Sequence, residues 1–247
     1  MSKINIMTWN VDWFRNGRRS GYNDSIYDFN DCSKEACNSI ISIVKDFLSK
    51  ENSIVFLQEV PYMRFNDNDQ MVKHDLWEDF SKAFPLCKYK IYRTGKRALR
   101  YTIAITKETK FEDVNCFKDN NRIIGVKNNF VEIVGVHMPT NFKLNDEEDC
   151  MWKDIIQYAN TKDNLILVGD FNAFVGCKVK LTEQRYLDLL QHMRNCVSEN
   201  VITYGKNSID KIMLRKGDYF RSCQYQIIPQ PQKKYSDHKY LVMELEL

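Results

Sequence analysis

Four short polar motifs contain the carboxylates, carboxamides and imidazole from which this chain could build a chemical site. They are Thr8-Trp9-Asn10-Val11-Asp12, Leu57-Gln58-Glu59, Gly169-Asp170-Phe171-Asn172 and Ser236-Asp237-His238. The first three follow or close apolar runs at residues 4–7, 54–57 and 165–168, whose length and composition predict buried strands. Oxygen ligands gathered at strand ends bind a hard cation, which can polarise a phosphoryl oxygen or activate a water. The motifs therefore predict a metal-dependent phosphoesterase, with a nuclease as the favoured class.

Glu59 and the pair Asn10 and Asp12 are candidate metal ligands. Glu59 ends a predicted strand, although a Glu that only begins a solvated loop is the alternative. Asn10 and Asp12 are two residues apart, so on a strand both side chains would point to the same face. A carbonyl oxygen beside a carboxylate suits Mg²⁺, which keeps several of its waters. An Asn-x-Asp turn without a metal is the alternative here.

Asp170 and Asn172 repeat this spacing directly after Gly169. A glycine at that point leaves room for the close approach of a backbone or a ligand. Asp170 is suited to orient and deprotonate an attacking water, and Asn172 to donate a hydrogen bond to a developing oxyanion. A Gly-Asp-x-Asn turn with no chemical role is the alternative, because such turns are common.

Two histidines are candidates for work on a phosphate. His238 is flanked by Asp237, and Asp210 is a candidate partner for its ring. A carboxylate favours the imidazolium form, which can stabilise a pentavalent phosphorane. His137 closes another apolar run and could bind a phosphate oxygen. A lone histidine with a satisfied structural role is the alternative for His238.

Basic and aromatic residues alternate in the segment 88–101, although the net charge of the chain is only +3. Such a mixture suits a phosphate backbone with bases to stack upon. A solvated strand surface is the alternative. The candidate substrate-binding residues in this segment are Arg93, Lys96, Arg97 and Arg100. They predict nucleic acid as the partner, with DNA favoured over RNA.

Composition predicts a single globular domain over residues 1–247. The chain of 247 residues is 43% hydrophobic and 28% charged, which is ordinary for a soluble protein of this size. Its apolar runs are strand-sized, so no membrane span is expected. The N-terminus has no signal-peptide pattern, which predicts a cytoplasmic protein. The eight cysteines are scattered without a CxxC pair, so we expect free thiols and no zinc site.

The chain alternates between strand-like and helix-like segments. Helical periodicity is found at residues 36–48, with Ser33 as a candidate N-cap, and at 76–84, 151–159 and 181–193. The strand-like runs lie at 4–12, 54–60, 88–94, 101–107, 122–126, 130–138, 165–172, 208–214, 221–228 and 240–247.

The arrangement of these segments predicts a mixed α/β architecture with two sheets. The first strand, helix and second strand could form a parallel crossover, because a helix connects them. The strands between residues 88 and 138 follow one another without a helix and predict an antiparallel meander.

The order of the motifs resembles the endonuclease/exonuclease/phosphatase superfamily, which includes deoxyribonuclease I and the exonuclease III-type abasic-site endonucleases. The resemblance extends from Asn10 to His238. It implies a four-layer α/β sandwich with two central mixed β-sheets flanked by helices. It also implies a Mg²⁺ or Mn²⁺ site at one end of the sheets.

The resemblance implies a role for each motif residue. Glu59 would be the principal metal ligand, assisted by Asn10, Asp12 and Asp237. Asp170 would align the water, Asn172 would hold the scissile phosphate, Asp210 would orient His238 for transition-state stabilisation, and His137 would lie near the phosphate.

The favoured activity is hydrolysis of DNA phosphodiesters by in-line attack of water. A phosphatase or a tyrosyl-DNA phosphodiesterase using the same site is the alternative. A binding protein that keeps the fold without catalysis is disfavoured, because every expected polar position is filled.

Overall fold

Two six-stranded mixed sheets form the centre of the molecule. The computed structural model describes residues 3–15, 32–66, 68, 70–93, 99–108, 110–114, 117, 120, 122–139, 146–229 and 235–247, without the side chains of 146, 147 and 229. In the first sheet the strand order is β13-β14-β1-β2-β6-β5, and in the second it is β11-β12-β10-β9-β8-β7.

The strands of the first sheet are β1 Lys3–Asn10, β2 Ser53–Pro61, β5 Lys90–Arg93, β6 Arg100–Thr106, β13 Gln224–Pro229 and β14 Leu241–Glu246. Those of the second sheet are β7 Glu112–Val114, β8 Ile123–Lys127, β9 Glu132–His137, β10 Leu165–Asp170, β11 Met193–Asn195 and β12 Asp210–Arg215. A separate hairpin consists of β3 Met63–Phe65 and β4 Met71–Lys73. Each predicted strand run overlaps one of these strands.

The helices are α1 Lys34–Phe47, α2 Asp75–Ala83, α3 Asp146–Thr161 and α4 Lys180–His192. The predicted N-cap of α1 is confirmed, because Ser33 Oγ accepts a hydrogen bond from the Ala36 amide at 3.2 Å. His74 caps α2 in the same way, with Nδ1 accepting from the Leu76 amide at 3.1 Å.

Three apolar cores separate four layers. The first lies between α1, α2 and the outer face of the first sheet, with Ile40, Val44 and Phe80 fully buried. The second lies between the two sheets, and the third lies between the second sheet and the helices α3 and α4. The expected four-layer α/β sandwich with two central mixed sheets is therefore confirmed.

The predicted meander between residues 88 and 138 is wrong. β5 and β6 belong to the first sheet, whereas β7, β8 and β9 belong to the second. Each strand alone has the pattern expected in an antiparallel meander. The point at which the chain passes from the first sheet to the second depends on how the faces of both sheets are buried. The four strands that the sequence did not predict, β3, β4, β7 and β11, have three residues each.

One parallel pair in each sheet places strand ends at a common edge. β1 and β2 are parallel, with Asn10 beside Gln58, as the predicted crossover requires. β9 and β10 are parallel, with Asp170 beside His137. Because parallel strands end at the same edge, the polar motifs that follow them meet there.

Two further observations concern membrane-spanning helices and the cysteines. Among the helices of the described part of the chain, none combines the length and apolar character needed to span a bilayer. The seven cysteines within the described residues are free thiols.

Candidate active site

Neighbouring strands of the second sheet carry three of the candidate residues. Asp170 at the end of β10 lies beside His137 of β9 and opposite Asp210 of β12. Asn10 at the end of β1 joins the two sheets, because its Nδ2 donates to Asp170 Oδ2 at 3.0 Å. The side chains of these four residues are buried.

Asp12 lies in a left-handed turn rather than on β1. Asp12, Trp13 and Phe14 have φ angles of 42°, 55° and 61°, a region that costs non-glycine residues about 1–2 kcal/mol each. Buried Phe14 stacks on Phe80 with ring centroids 5.7 Å apart, which helps to hold the turn. The expectation that Asn10 and Asp12 share a strand face is therefore wrong. Instead, Asn10 Oδ1 accepts a hydrogen bond from the Asp12 amide at 3.0 Å.

A bulge in β2 directs Glu59 into the site. The pairing with β6 shifts register between Leu57 and Val60, and Glu59 has a φ of 59°. A bulge of this kind re-aims a side chain. The Glu59 side chain, which is 15% exposed, reaches the other candidates: its Oε1 lies 3.2 Å from His137 Nε2 and 3.3 Å from Asn10 Nδ2.

Asn172 also lies beyond its strand, with a φ of 49°. Its amide donates to Asp170 Oδ1 at 2.9 Å, and its Nδ2 donates to the Met138 carbonyl at 2.9 Å. The i, i+2 strand geometry predicted for Asp170 and Asn172 is wrong, because the strand ends at Asp170. The predicted close approach at Gly169 is confirmed, since a Cβ there would lie 2.0 Å from the Val136 carbonyl oxygen.

His238 pairs with Asp210, as the sequence predicts. Its Nδ1 lies 2.9 Å from Asp210 Oδ2 and 3.2 Å from Oδ1. Its Nε2 faces two further carboxylates, 3.9 Å from Asp170 Oδ2 and 3.7 Å from Asp237 Oδ1. Burial lowers the pKa of the ring, but Asp210, followed by Asp170 and Asp237, outweighs it and raises the pKa to about 10. His238 is therefore an imidazolium at neutral pH.

Neighbouring residues hold this pair in place. Thr203 Oγ1 accepts a hydrogen bond from the Asp210 amide at 3.1 Å, and the Tyr204 ring lies 4.6 Å from the His238 ring. Ser236 Oγ donates to the Asn10 carbonyl at 2.7 Å, which fixes the last motif against the first. Thr203 and Tyr204 escaped prediction because no local pattern sets them apart.

The pKa values of Asp170 and His137 are shifted in opposite directions. Burial and the neighbouring Asp210 raise the pKa of the Asp170 carboxyl above its usual range. Burial lowers the pKa of His137 to about 4 despite the adjacent Glu59. A neutral His137 can donate from Nε2 to the Glu59 carboxylate. Burial alone would raise the pKa of Glu59, but Arg100, His137 and Asn10 hold it well below its usual range.

The predicted metal ligands fit a hard divalent cation by their chemistry. Burial raises the pKa of Asp12 to about 8, and the charges of Asp237 and Glu59 add to the rise. Carboxylates brought close enough to repel one another are stabilised by a cation between them. Asn10 Oδ1 keeps a second lone pair beyond its bond to Asp12. Oxygen donors of this kind suit Mg²⁺ or Mn²⁺.

A tighter donor group lies beside these residues. Single donor atoms of Asp170, Asp210 and His238 fall within 4.8 Å of one another, which is close enough to hold a metal ion. This group does not include Glu59, Asp12 or Asp237.

The predicted substrate-binding residues take different places. Arg100 Nη1 lies 2.8 Å from Oε2 of Glu59, one of the candidate metal ligands. Arg93 donates to the Tyr62 hydroxyl at 2.8 Å and lies over that ring. Lys96 and Arg97 are outside the described residues.

Arg122, at the start of β8, is a further cation of the site that sequence reasoning missed. Its Nη1 donates to the His137 carbonyl at 3.4 Å. Burial and then the repulsion of Arg100 lower the pKa of its guanidinium, while Glu59 and Asp170 oppose this. The signal in the sequence was a basic residue opening the strand before His137.

Comparison with protein-family models gives no match, and comparison with curated proteins gives none either. Solved structures do match. An endonuclease/exonuclease/phosphatase protein from Bacteroides vulgatus aligns over 100% of both chains, with 14% identity and a TM-score of 0.62. This chain has the endonuclease/exonuclease/phosphatase fold.

Two further structures with the endonuclease/exonuclease/phosphatase fold are of enzymes. An AP endonuclease from Archaeoglobus fulgidus aligns over 99% of this chain and 100% of its own, with 17% identity and a TM-score of 0.60. A 3′ phosphatase from Neisseria, bound to a product DNA hairpin, aligns over the same shares with 14% identity and a TM-score of 0.59. At these identities the likeness shows the fold alone.

Proposed function

We propose that this chain is a divalent-metal-dependent phosphodiesterase, and more specifically a DNA nuclease that hydrolyses phosphodiesters by in-line attack of water. Mg²⁺ or Mn²⁺ would be held by Glu59, Asn10, Asp12 and Asp237. When bound, the cation supplies Lewis-acid polarisation of a phosphoryl oxygen.

The position of Asp170 is the observation that carries the proposal. Its Oδ2 accepts from Asn10 at 3.0 Å and lies 3.9 Å from both His137 Nε2 and His238 Nε2. A carboxylate whose pKa is raised above its usual range can accept a proton from water near neutral pH. Asp170 is therefore the general base that aligns and deprotonates the attacking water.

The remaining residues act on the phosphate. The His238 imidazolium, oriented by Asp210, donates a hydrogen bond to the charge that develops in the transition state. The side-chain amide of Asn172 has two N–H donors. One donates to the Met138 carbonyl, and the other can donate to the phosphate. His137, neutral and held by Glu59, lies within the same group of side chains.

Basic residues around this centre support nucleic acid as the substrate. Arg100 contacts Glu59, Arg122 donates to the His137 carbonyl, and Arg93 lies on β5, the strand beside that of Arg100. Guanidinium groups recognise phosphate. The 3′ phosphatase with the same fold was solved with a product DNA hairpin. Together with Lys96 and Arg97 of the same basic segment, these residues favour a DNA backbone over a small phosphoester.

The substrate class can be tested by comparing kcat/KM on four oligonucleotides in the presence of Mg²⁺ or Mn²⁺. They are a DNA duplex, an RNA duplex, a DNA strand with a 5′-phosphotyrosyl end and one with a 3′-phosphate end. The proposal expects internal DNA phosphodiesters to be the best substrate. Hydrolysis restricted to the 3′-phosphate or the phosphotyrosyl end would instead establish the phosphatase or tyrosyl-DNA phosphodiesterase alternative.

A further inference from the structure

The Glu59 carboxylate has partners on both oxygens before any metal is considered. Oε1 lies 3.2 Å from His137 Nε2 and 3.3 Å from Asn10 Nδ2. Oε2 accepts from Arg100 Nη1 at 2.8 Å. A carboxylate offers about four lone-pair positions, so these bonds leave room for a cation but compete with it.

Arg100 differs from the other two partners in its charge. Asn10 carries no charge, and the His137 imidazole is charged only when it is protonated. The guanidinium is always protonated, so Arg100 places a full positive charge 2.8 Å from Oε2, an oxygen that a divalent cation would use. Like charges at such a separation repel one another.

The position of Arg100 is fixed by a second contact. Its guanidinium carbon lies 5.0 Å from the centroid of the Trp13 ring, a distance at which a cation is attracted to the ring face. Trp13 follows Asp12 in the left-handed turn, and its own side chain is buried. The turn that carries one candidate metal ligand therefore also holds the cation that pairs with another.

We propose that Arg100 is an internal competitor that sets the metal affinity of this site. In the metal-free protein the Arg100 guanidinium neutralises Glu59, and a divalent cation must displace or share it. The displaced guanidinium is then available to a substrate phosphate. This inference rests on the proposed function, because it takes Glu59 as a metal ligand.

The test is a measurement of metal affinity that needs no turnover. Isothermal titration of Mn²⁺ into the wild-type protein and the Arg100→Gln variant gives the two Kd values. Removing a unit positive charge a few ångströms from the cation should tighten Mn²⁺ binding roughly tenfold. Arg100→Lys keeps the charge and should stay near the wild-type Kd.

Arg221→Gln is the matched control. Its side chain is 83% exposed and pairs with Asp218, in the turn that follows the far end of β12. The Kd for Mn²⁺ should not change. The melting temperature in EDTA reports whether each variant folds. If Arg100→Gln does not fold, the Kd of the Arg100→Met variant is measured instead, because this variant also lacks the charge.

The outcomes separate this inference from the proposed function. An Arg100→Gln variant that binds Mn²⁺ as weakly as the wild type, or more weakly, overturns the role of Arg100 and leaves the metal site standing. Failure of both the wild type and Arg100→Gln to bind Mn²⁺ or Mg²⁺ overturns the metal site and the inference together.

Discussion

His238 Nδ1 lies 2.9 Å from Oδ2 of Asp210, and both side chains are buried at the end of the second sheet. The pair joins residues 28 positions apart in sequence and decides the charge of the imidazole. Without Asp210, burial would favour the neutral ring, which cannot donate from both nitrogens. The ion pair is thus the reason why His238 can serve as a cationic donor.

Asp210→Asn should change the pH dependence of hydrolysis. In the wild type the pKa of His238 is about 10, so the imidazolium persists through neutral pH and is lost as the pH rises through 10. In the variant the pKa falls because burial is no longer opposed by Asp210. We expect a loss of about 10²–10⁴ in kcat at pH 8, with partial recovery at pH 6. A pH–rate profile from pH 6 to 9 measures the change.

The control for this profile is Asp218→Asn, whose side chain is 95% exposed. It should follow the wild-type profile throughout. If Asp210→Asn gave the same profile as this control, the imidazolium role of His238 would be wrong.

Asn172→Asp should reduce kcat while preserving the backbone. Asp tolerates the left-handed φ of 49° found at this position, but its carboxylate cannot donate a hydrogen bond. Loss of one transition-state donor should cost about 10²–10³ in kcat. Single-turnover rates and the melting temperature should be measured together. A variant with a normal rate and a normal melting temperature would show that Asn172 does not contact the phosphate.

Neutralising Arg93, Lys96 and Arg97 together should weaken DNA binding and flatten its salt dependence. Each lost phosphate contact should reduce the slope of log Kd against log salt by about 0.9. Fluorescence anisotropy with a labelled duplex at several salt concentrations measures both quantities. Arg221→Gln is the control for a surface charge elsewhere. An unchanged slope in the triple variant would favour a small phosphomonoester as substrate.

Gly169→Ala should destabilise the protein far more than Gly217→Ala. Both glycines have positive φ, 133° and 149°, so both substitutions introduce backbone strain. Only at Gly169 would the added Cβ meet backbone, 2.0 Å from the Val136 carbonyl oxygen, whereas nothing lies within 4 Å at Gly217. We expect losses in the free energy of unfolding of about 3 kcal/mol or more and about 1 kcal/mol, respectively. Equal losses in urea denaturation would contradict the close approach of β9 and β10.

Local patterns were sufficient to place most strands along the chain, whereas the four layers were implied by the family resemblance. Apolar runs predicted every strand longer than three residues, and Ser33 marked the start of α1. Asn10 and Asp170 each end a strand that has a parallel neighbour. His238 reaches the end of β1 because it precedes β14, which is antiparallel to β1. Such inferences depend on period and burial, which a sequence carries locally.

The features that escaped prediction depend on tertiary contacts. The positive φ angles of Asp12, Glu59 and Asn172 are imposed by the surrounding site, since none of these residues favours that region strongly. The ion pair between Glu59 and Arg100 joins residues 41 positions apart in sequence, and no periodic pattern predicts it. A basic residue in a strand has the same local signature whether it binds substrate or a neighbouring carboxylate.

The central claim is metal-dependent hydrolysis at Glu59 and His238, and nicking of supercoiled plasmid tests it most directly. Wild type, Glu59→Gln and His238→Ala should be compared with Mg²⁺ or Mn²⁺ and with EDTA. We predict nicking by the wild type that requires the metal and is lost in both variants. Nicking in EDTA, or nicking by Glu59→Gln at the wild-type rate, would contradict the account.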